Sequence, residues 1–198
     1  SSTTDLTCAT LLICKPNDNR LFVLQKYFLP QMRVDATEQT AAREAPYRRW
    51  AEDGWLHICD GAAVNYSDVT AWFVEMVERH DIRPLWIHYD RALAGYWQDE
   101  MAEYGFDMVK TPQGAYTFTY PMKRLGALLE EGRVVYQNNP MLRWSLHNTA
   151  VKTANKDGIQ SIQPVKVASG RRIDGLVSLL NAFVGYCEHE DDYMRYVR

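Results

Sequence analysis

Leu85-Trp86-Ile87-His88-Tyr89-Asp90 is the stretch on which the fold turns. Pro84 stands in front of it, and apolar and aromatic side chains run up to a single acid. A short apolar run bounded by a chain breaker reads as a buried strand. Upstream, Val69, Trp72, Phe73, Met76 and Val77 recur at helical spacing on one face, with Ser67 read as the N-cap. Downstream, residues 92–104 read as a helix closed by Gly105, and residues 106–110 as a strand. Helix, strand, helix and strand in that order make a β-α-β crossover, so the strands at 85–90 and 106–110 are expected to run parallel.

Working outward, residues 6–15 and 21–28 read as strands joined by the turn Pro16-Asn17-Asp18-Asn19, a hairpin. Residues 29–46 are polar and irregular, with a short helix near 38–43. A further short helix at 47–53 ends at Gly54, and a short strand follows at 56–58. Helices are expected at 122–131, stopped by Gly132, and at 140–147. Residues 150–153 and 159–164 flank Asn155-Lys156-Asp157-Gly158, a second hairpin with an Asp-Gly turn. The closing helix is expected at 173–187. An antiparallel hairpin followed by parallel units predicts an α/β fold: a mixed β-sheet flanked by helices, with an added β-hairpin near residues 150–164. The 198 residues carry no repeat and no linker, so one domain is expected.

A net charge of -3 argues against a general polyanion binder, but not against an enzyme whose metal site is itself acidic. Sign varies locally: Lys166, Arg171 and Arg172 are a basic cluster, while Glu188, Glu190, Asp191 and Asp192 form an acidic tail. Cys8, Cys14, Cys59 and Cys187 match no zinc knuckle and no C-x-x-C motif, so buried thiols in a reducing compartment are expected. No apolar run approaches a membrane span and the N-terminus lacks the shape of a signal peptide, so a soluble intracellular protein without a membrane partner is expected.

Two acids stand at the ends of apolar elements. Asp90 closes the strand at 85–90, where ligand sites of open α/β sheets gather. Asp174, in Arg171-Arg172-Ile173-Asp174-Gly175-Leu176, opens the last helix. Each has a plain alternative: a cap for Asp90, and a carboxylate favoured by the helix dipole for Asp174. As a pair they suggest a divalent-metal site. His88 shares a strand face with Asp90 and is a candidate to orient water or assist a ligand, although a hydrogen-bonded core histidine is the more ordinary reading. Lys166, Arg171 and Arg172 lie on the approach to Asp174 and suit phosphate contacts, with Lys152 and Lys156 weaker candidates of the same kind. There is no G-x-S-x-G, no Walker A sequence and no glycine-rich dinucleotide loop.

Taken in order, Ser1-Ser2-Thr3-Thr4-Asp5-Leu6-Thr7, Ile87-His88-Tyr89-Asp90-Arg91, the segment from Leu142-Arg143-Trp144 to Val151-Lys152-Thr153, and residues 166–180 resemble the large terminase subunit of tailed bacteriophages. The resemblance covers nearly the whole chain and points to the C-terminal nuclease domain, a ribonuclease H-like fold. It implies a single nuclease domain over 1–198, with the ATPase motor domain and the first core strand lying outside this chain. It implies cutting of concatemeric double-stranded DNA by two-metal hydrolysis, with two Mg2+ or Mn2+ ions about 3.5–4 Å apart. Asp90 matches the second acidic ligand and Asp174 the third; the first is expected just upstream of Ser1, and Asp5 matches a further acid of that motif. The isolated chain is therefore expected to cut weakly or not at all. The partners implied are duplex DNA, the ATPase domain, the small terminase subunit and the capsid portal, in the cytoplasm of an infected or lysogenic bacterial host. Two rivals stand beside this reading: a junction resolvase on the same fold, and a non-catalytic docking module of the packaging motor.

Overall fold

A computed structural model describes residues 5–38, 45–90, 95–156 and 158–196. β1 (Thr7–Cys14) and β2 (Leu21–Pro30) form the first hairpin, in register from Thr7 opposite Phe28 to Cys14 opposite Leu21. The turn holds Asn17 at φ 58°, a backbone state that asparagine tolerates better than most residues. β2 is the spine of the sheet: its C-terminal half pairs in parallel with β3 (Leu56–Cys59), after the short helices α1 (Gln31–Glu38) and α2 (Tyr47–Glu52). Strand alternation divides the hairpin into two faces. Ala9, Leu11 and Phe28 enter one core, and Leu21 and Val23 enter another.

The first core is covered by α3 (Tyr66–His80), which contributes Tyr66, Val69 and Phe73. Its N-cap is Asn65, whose side-chain oxygen accepts from the Ser67 amide; Ser67, expected as the cap, instead donates its hydroxyl to Glu100. The expected crossover is present. β4 (Ile87–Asp90), α4 (Gly95–Glu103) and β5 (Met108–Thr111) follow, with the two strands parallel and Ile87 opposite Met108. Ile87 and Tyr89 face the α3 core together with Trp97 and Met101 of α4.

The opposite face is covered by α5 (Ala115–Glu130), α6 (Pro140–His147) and α7 (Asp174–Tyr196). Phe118, Leu125, Leu142, Leu179, Leu180 and Phe183 fill this second core. Between α5 and α6, β6 (Val134–Val135) pairs in parallel with the start of β2, an element with no counterpart in the sequence reading. α5 begins before Pro121 rather than after it, so the proline lies inside the helix. α7 continues through the acidic tail to Tyr196, where the Arg124 guanidinium grips Glu190 with two contacts of 2.7 Å. β7 (Thr149–Lys156) and β8 (Ile159–Lys166) make the second hairpin, longer than expected and paired from Thr149–Lys166 to Lys156–Ile159. Thr119 of α5 takes both backbone groups of Ile162, at 2.9 and 3.2 Å, and fastens this hairpin to the body. The helix expected at 38–43 and the start of the one expected at 92 fall largely outside the described residues.

Among the described residues, β1 pairs only with β2, and β4 only with β5. The sheet is thus parted between β1 and β4. Residues of both strands line a cavity of about 770 Å³, with α3 on one side and α7 on the other.

Candidate active site

Asp90 ends β4 and Asp174 begins α7, and both line that cavity. The position of Asp174 is fixed by its neighbours in a chain of buried contacts. Gly175 lies so close to β2 that a Cβ there would stand 2.3 Å from Tyr27 Oη. Tyr27 donates its hydroxyl to Gln25 Oε1 at 2.7 Å, and Gln25 Nε2 donates to the Gly175 carbonyl at 2.8 Å and to Thr10 Oγ1 at 2.9 Å. Thr10 in turn meets Ser178 Oγ at 2.8 Å. From α6, Ser145 Oγ accepts the Leu176 amide at 2.9 Å, satisfying one of the orphan donors of the helix start. Asn148 donates to the Arg172 carbonyl at 3.0 Å. The first turn of α7 is thereby held by β1, β2 and α6 together.

Burial pushes the Asp174 carboxyl above the usual carboxylate range; a backbone hydrogen bond, Arg172 and Lys166 pull it part of the way back. Arg172, expected as a phosphate contact, is not on the surface. Its side chain is 5% exposed and forms an ion pair with Asp5. Asp5 also accepts the Leu6 amide at 2.8 Å. Asp5 is thus engaged by Arg172 and the Leu6 amide, next to the cavity wall that begins at Leu6. Lys152, Lys166 and Arg171 are exposed. Lys152 and Lys166 project from opposite faces of the second hairpin, because Lys166 is opposite Thr149 and Lys152 lies three residues further along β7.

His88 is buried beneath α7. Its Nδ1 meets Thr111 Oγ1 at 3.0 Å, while Nε2 has no hydrogen-bond partner. Burial, and then the charge of His189, hold it down at about 4, so it is neutral near pH 7. Around it, Thr111 and His189 were not singled out in the sequence, and Glu188 only as part of the acidic tail. Glu188 and His189 sit in what reads as a solvated acidic tail, and only the extension of α7 past residue 187 brings them to β4. Gln25 and Tyr27 were legible only as strand residues; their shared parity was the one signal that they face the same side. A separate group, His57, Cys59 and Asp68, closes on itself: His57 Nε2 lies 3.2 Å from Asp68, and burial pushes the Cys59 thiol up to about 11.

A parted mixed sheet with helices on both faces, and two acids at strand and helix ends on one cavity, define an α/β domain with a candidate acidic site. Residues 1–190 match the family described as terminase large subunit, endonuclease domain, and the chain belongs to that family. It is 28% identical over 168 residues to protein YmfN of Escherichia coli (strain K12), covering 81% of this chain and 35% of that protein. It is 27% identical over 181 residues to the terminase large subunit of Enterobacteria phage HK97, covering 90% of this chain and 34% of that one. The chain therefore spans about a third of the length of these relatives. The crystal structure of the HK97 large terminase superposes with a TM-score of 0.77 at 24% identity, over 92% of this chain and 37% of that one. The mixed sheet flanked by helices that the sequence predicted is thus a fold shared with that solved terminase.

Proposed function

We propose that this chain is the DNA-cutting domain of a viral packaging terminase, and that Asp90 and Asp174 hold the divalent cations of a phosphodiester hydrolase. The observation that carries this reading is that the two acids, remote in sequence, line one cavity. The residues fit such ions. A carboxylate whose burial disfavours its charge is stabilised by a cation beside it, and the two carboxylates offer hard oxygens, suited to Mg2+ or Mn2+. When bound, such ions would activate water and stabilise the leaving oxygen of the scissile phosphate.

The chain's own residues do the holding. The Gln25–Tyr27–Gly175 contacts fix Asp174, and Arg172 fixes the entry to β1 through Asp5. Lys166 and Arg171 supply exposed positive charge beside Asp174 for the DNA backbone, contacts that position a duplex without reading its sequence. Arg172 leaves the set of phosphate contacts, and Asp5 is assigned to Arg172 rather than to an ion. Concatemeric double-stranded DNA is the substrate, and the motor domain, small subunit and portal are the partners, within the host cytoplasm. Among the described residues no helix is long and apolar enough to cross a membrane.

The cavity between β1 and β4 supports one further part of the reading. Two strand edges with no strand partner among the described residues flank it, and an extended segment placed there would join the two half-sheets into one. We assign that place to the first core strand, carrying the third acid.

The test is Mn2+-dependent nicking of supercoiled plasmid by this chain, by a form extended at the N-terminus, and by the extended Asp174→Ala variant. Cutting by the extended form that is lost in the variant is the expected result. Failure of every folded form to cut would move the assignment to a docking module of the motor, and cleavage confined to four-way junctions would move it to a resolvase.

A further inference from the structure

We propose that His88, Glu188 and His189 form a second cation site, for Zn2+ or a metal of similar preference, that staples β4 to the C-terminal half of α7. One ligand atom from each residue lies within 4.8 Å of the others. Tetrahedral zinc with bonds near 2.0–2.2 Å places its ligand atoms roughly 3.4 Å apart, so a separation reduced by about 1.4 Å at most closes the site. His88 Nε2 and Glu188 Oε2 are already 3.8 Å apart.

Four details prepare these residues. The His88 side chain is 2% exposed, and its Nε2 has no hydrogen-bond partner. A buried orphan N–H is rarer than an orphan lone pair, which favours the tautomer that carries its proton on Nδ1, toward Thr111 Oγ1 at 3.0 Å. That leaves the Nε2 lone pair aimed at the cluster, and a second-ring partner of this kind is the usual support of a metal-binding histidine. His189 is oriented by stacking on Trp86, with centroids 4.1 Å apart and planes 6° off parallel. Gly185 makes the approach feasible: a Cβ there would stand 2.5 Å from His88 Cδ2 and 2.9 Å from Nε2. Glu188 is 55% exposed, so the site opens to solvent and an ion can enter.

Two imidazoles and one carboxylate select a borderline metal such as zinc, where the oxygen-only donors at Asp90 and Asp174 do not. His88 lines the same cavity as Asp90 and Asp174, but Glu188 and His189 do not, and none of the three is assigned to cutting in the reading above.

The experiment is Zn2+ titration by calorimetry, with Co2+ absorption as a coordination signature and thermal melts with and without Zn2+. It uses the wild-type chain and the variants His189→Ala, Glu188→Gln, Thr111→Val, His57→Ala and Asp174→Ala. The expected result is one Zn2+ per chain and a Tm raised by Zn2+. His189→Ala should abolish both. Thr111→Val should weaken binding by about 10–100-fold. His57→Ala and Asp174→Ala should leave binding in place. Absence of Zn2+ binding by the folded wild-type chain would overturn the site. So would binding that survives His189→Ala and Glu188→Gln, or that is lost with His57→Ala or Asp174→Ala instead.

Discussion

Asp5 and Arg172 form an ion pair that ties the segment leading into β1 to the segment that leads into Asp174. The arginine is buried, so its charge depends on its protein partners; burial lowers its pKa and the Asp174 carboxylate opposes that shift. Breaking a buried pair by removing one partner typically costs about 3–5 kcal/mol, and the partial exposure of Asp5 reduces this. Arg172→Ala should therefore destabilise the chain by about 1–3 kcal/mol, read as a lower urea midpoint at unchanged slope. An unmoved midpoint would show that the pair holds nothing.

Gly175 against Tyr27 makes a sharper case. Gly175→Ala inserts a methyl where Tyr27 Oη stands, and overpacking of this kind costs about 1–3 kcal/mol. Tyr27→Phe removes the hydroxyl, although it also removes the bond to Gln25. The double variant should therefore be more stable than the sum of the single losses, with a coupling of at least about 0.5 kcal/mol in a double-mutant cycle. Additive losses would mean that α7 shifts freely and the contact does not position Asp174.

Much of the fold was legible because local signals agreed with it. The Asn-Asp and Asp-Gly turns fixed two hairpins, and the helical spacing from Val69 to Val77 fixed α3. Where the sequence reading went astray, a tertiary contact had overruled a local rule. Proline disfavours helix at the residue before it, so α5 was expected to begin after Pro121. It begins at Ala115, with Phe118 buried in the core and Thr119 bonded to Ala115 O at 2.6 Å. The closing helix was expected to stop at Cys187, before the acidic tail, but Arg124 neutralises Glu190 and Tyr193 reaches the Cys14 amide at 3.2 Å. The acids at 90 and 174 were visible as element ends. Burial of Arg172 was not, since no local pattern distinguishes a solvated arginine from one whose partner arrives from the other end of the chain.

Asp174 makes folding stability depend on pH. Its folded pKa is raised by burial, so the native state binds more protons than the unfolded one between the two pKa values. The penalty is absent below the unfolded pKa, grows as pH rises toward the folded pKa, and is complete above it. Asp174→Asn should therefore melt higher than wild type at pH 7, with the gap closing as pH falls below the ordinary aspartate range. Saturating Mg2+ or Mn2+ should narrow the pH 7 gap by stabilising the wild type alone. A wild type that melts above the variant at pH 7 without metal would contradict this sign.

DNA affinity should discriminate between the two faces of the second hairpin. Lys166 lies close enough to Asp174 to stabilise its charge, and Lys152 points the other way. In anisotropy titrations without divalent metal, Lys166→Ala should flatten the log–log salt dependence by about 0.9, one phosphate contact. Arg171→Ala should act similarly, whereas Lys152→Ala and the buried Arg172→Ala should leave the slope unchanged. A slope altered by Lys152→Ala and not by Lys166→Ala would turn the hairpin over.

The parting between β1 and β4 also bears on control. Gly175, next to Asp174, accepts from Gln25 of the β1–β2 hairpin, whereas Asp90 belongs to the β4–β5 pair. The two carboxylates thus ride on separate half-sheets joined through the helices, and their spacing is not set by any strand ladder they share. Whatever fills the seam sets that spacing. On the proposed reading, cutting then waits on whatever sets that spacing, and activity belongs to the assembled enzyme rather than to this chain alone.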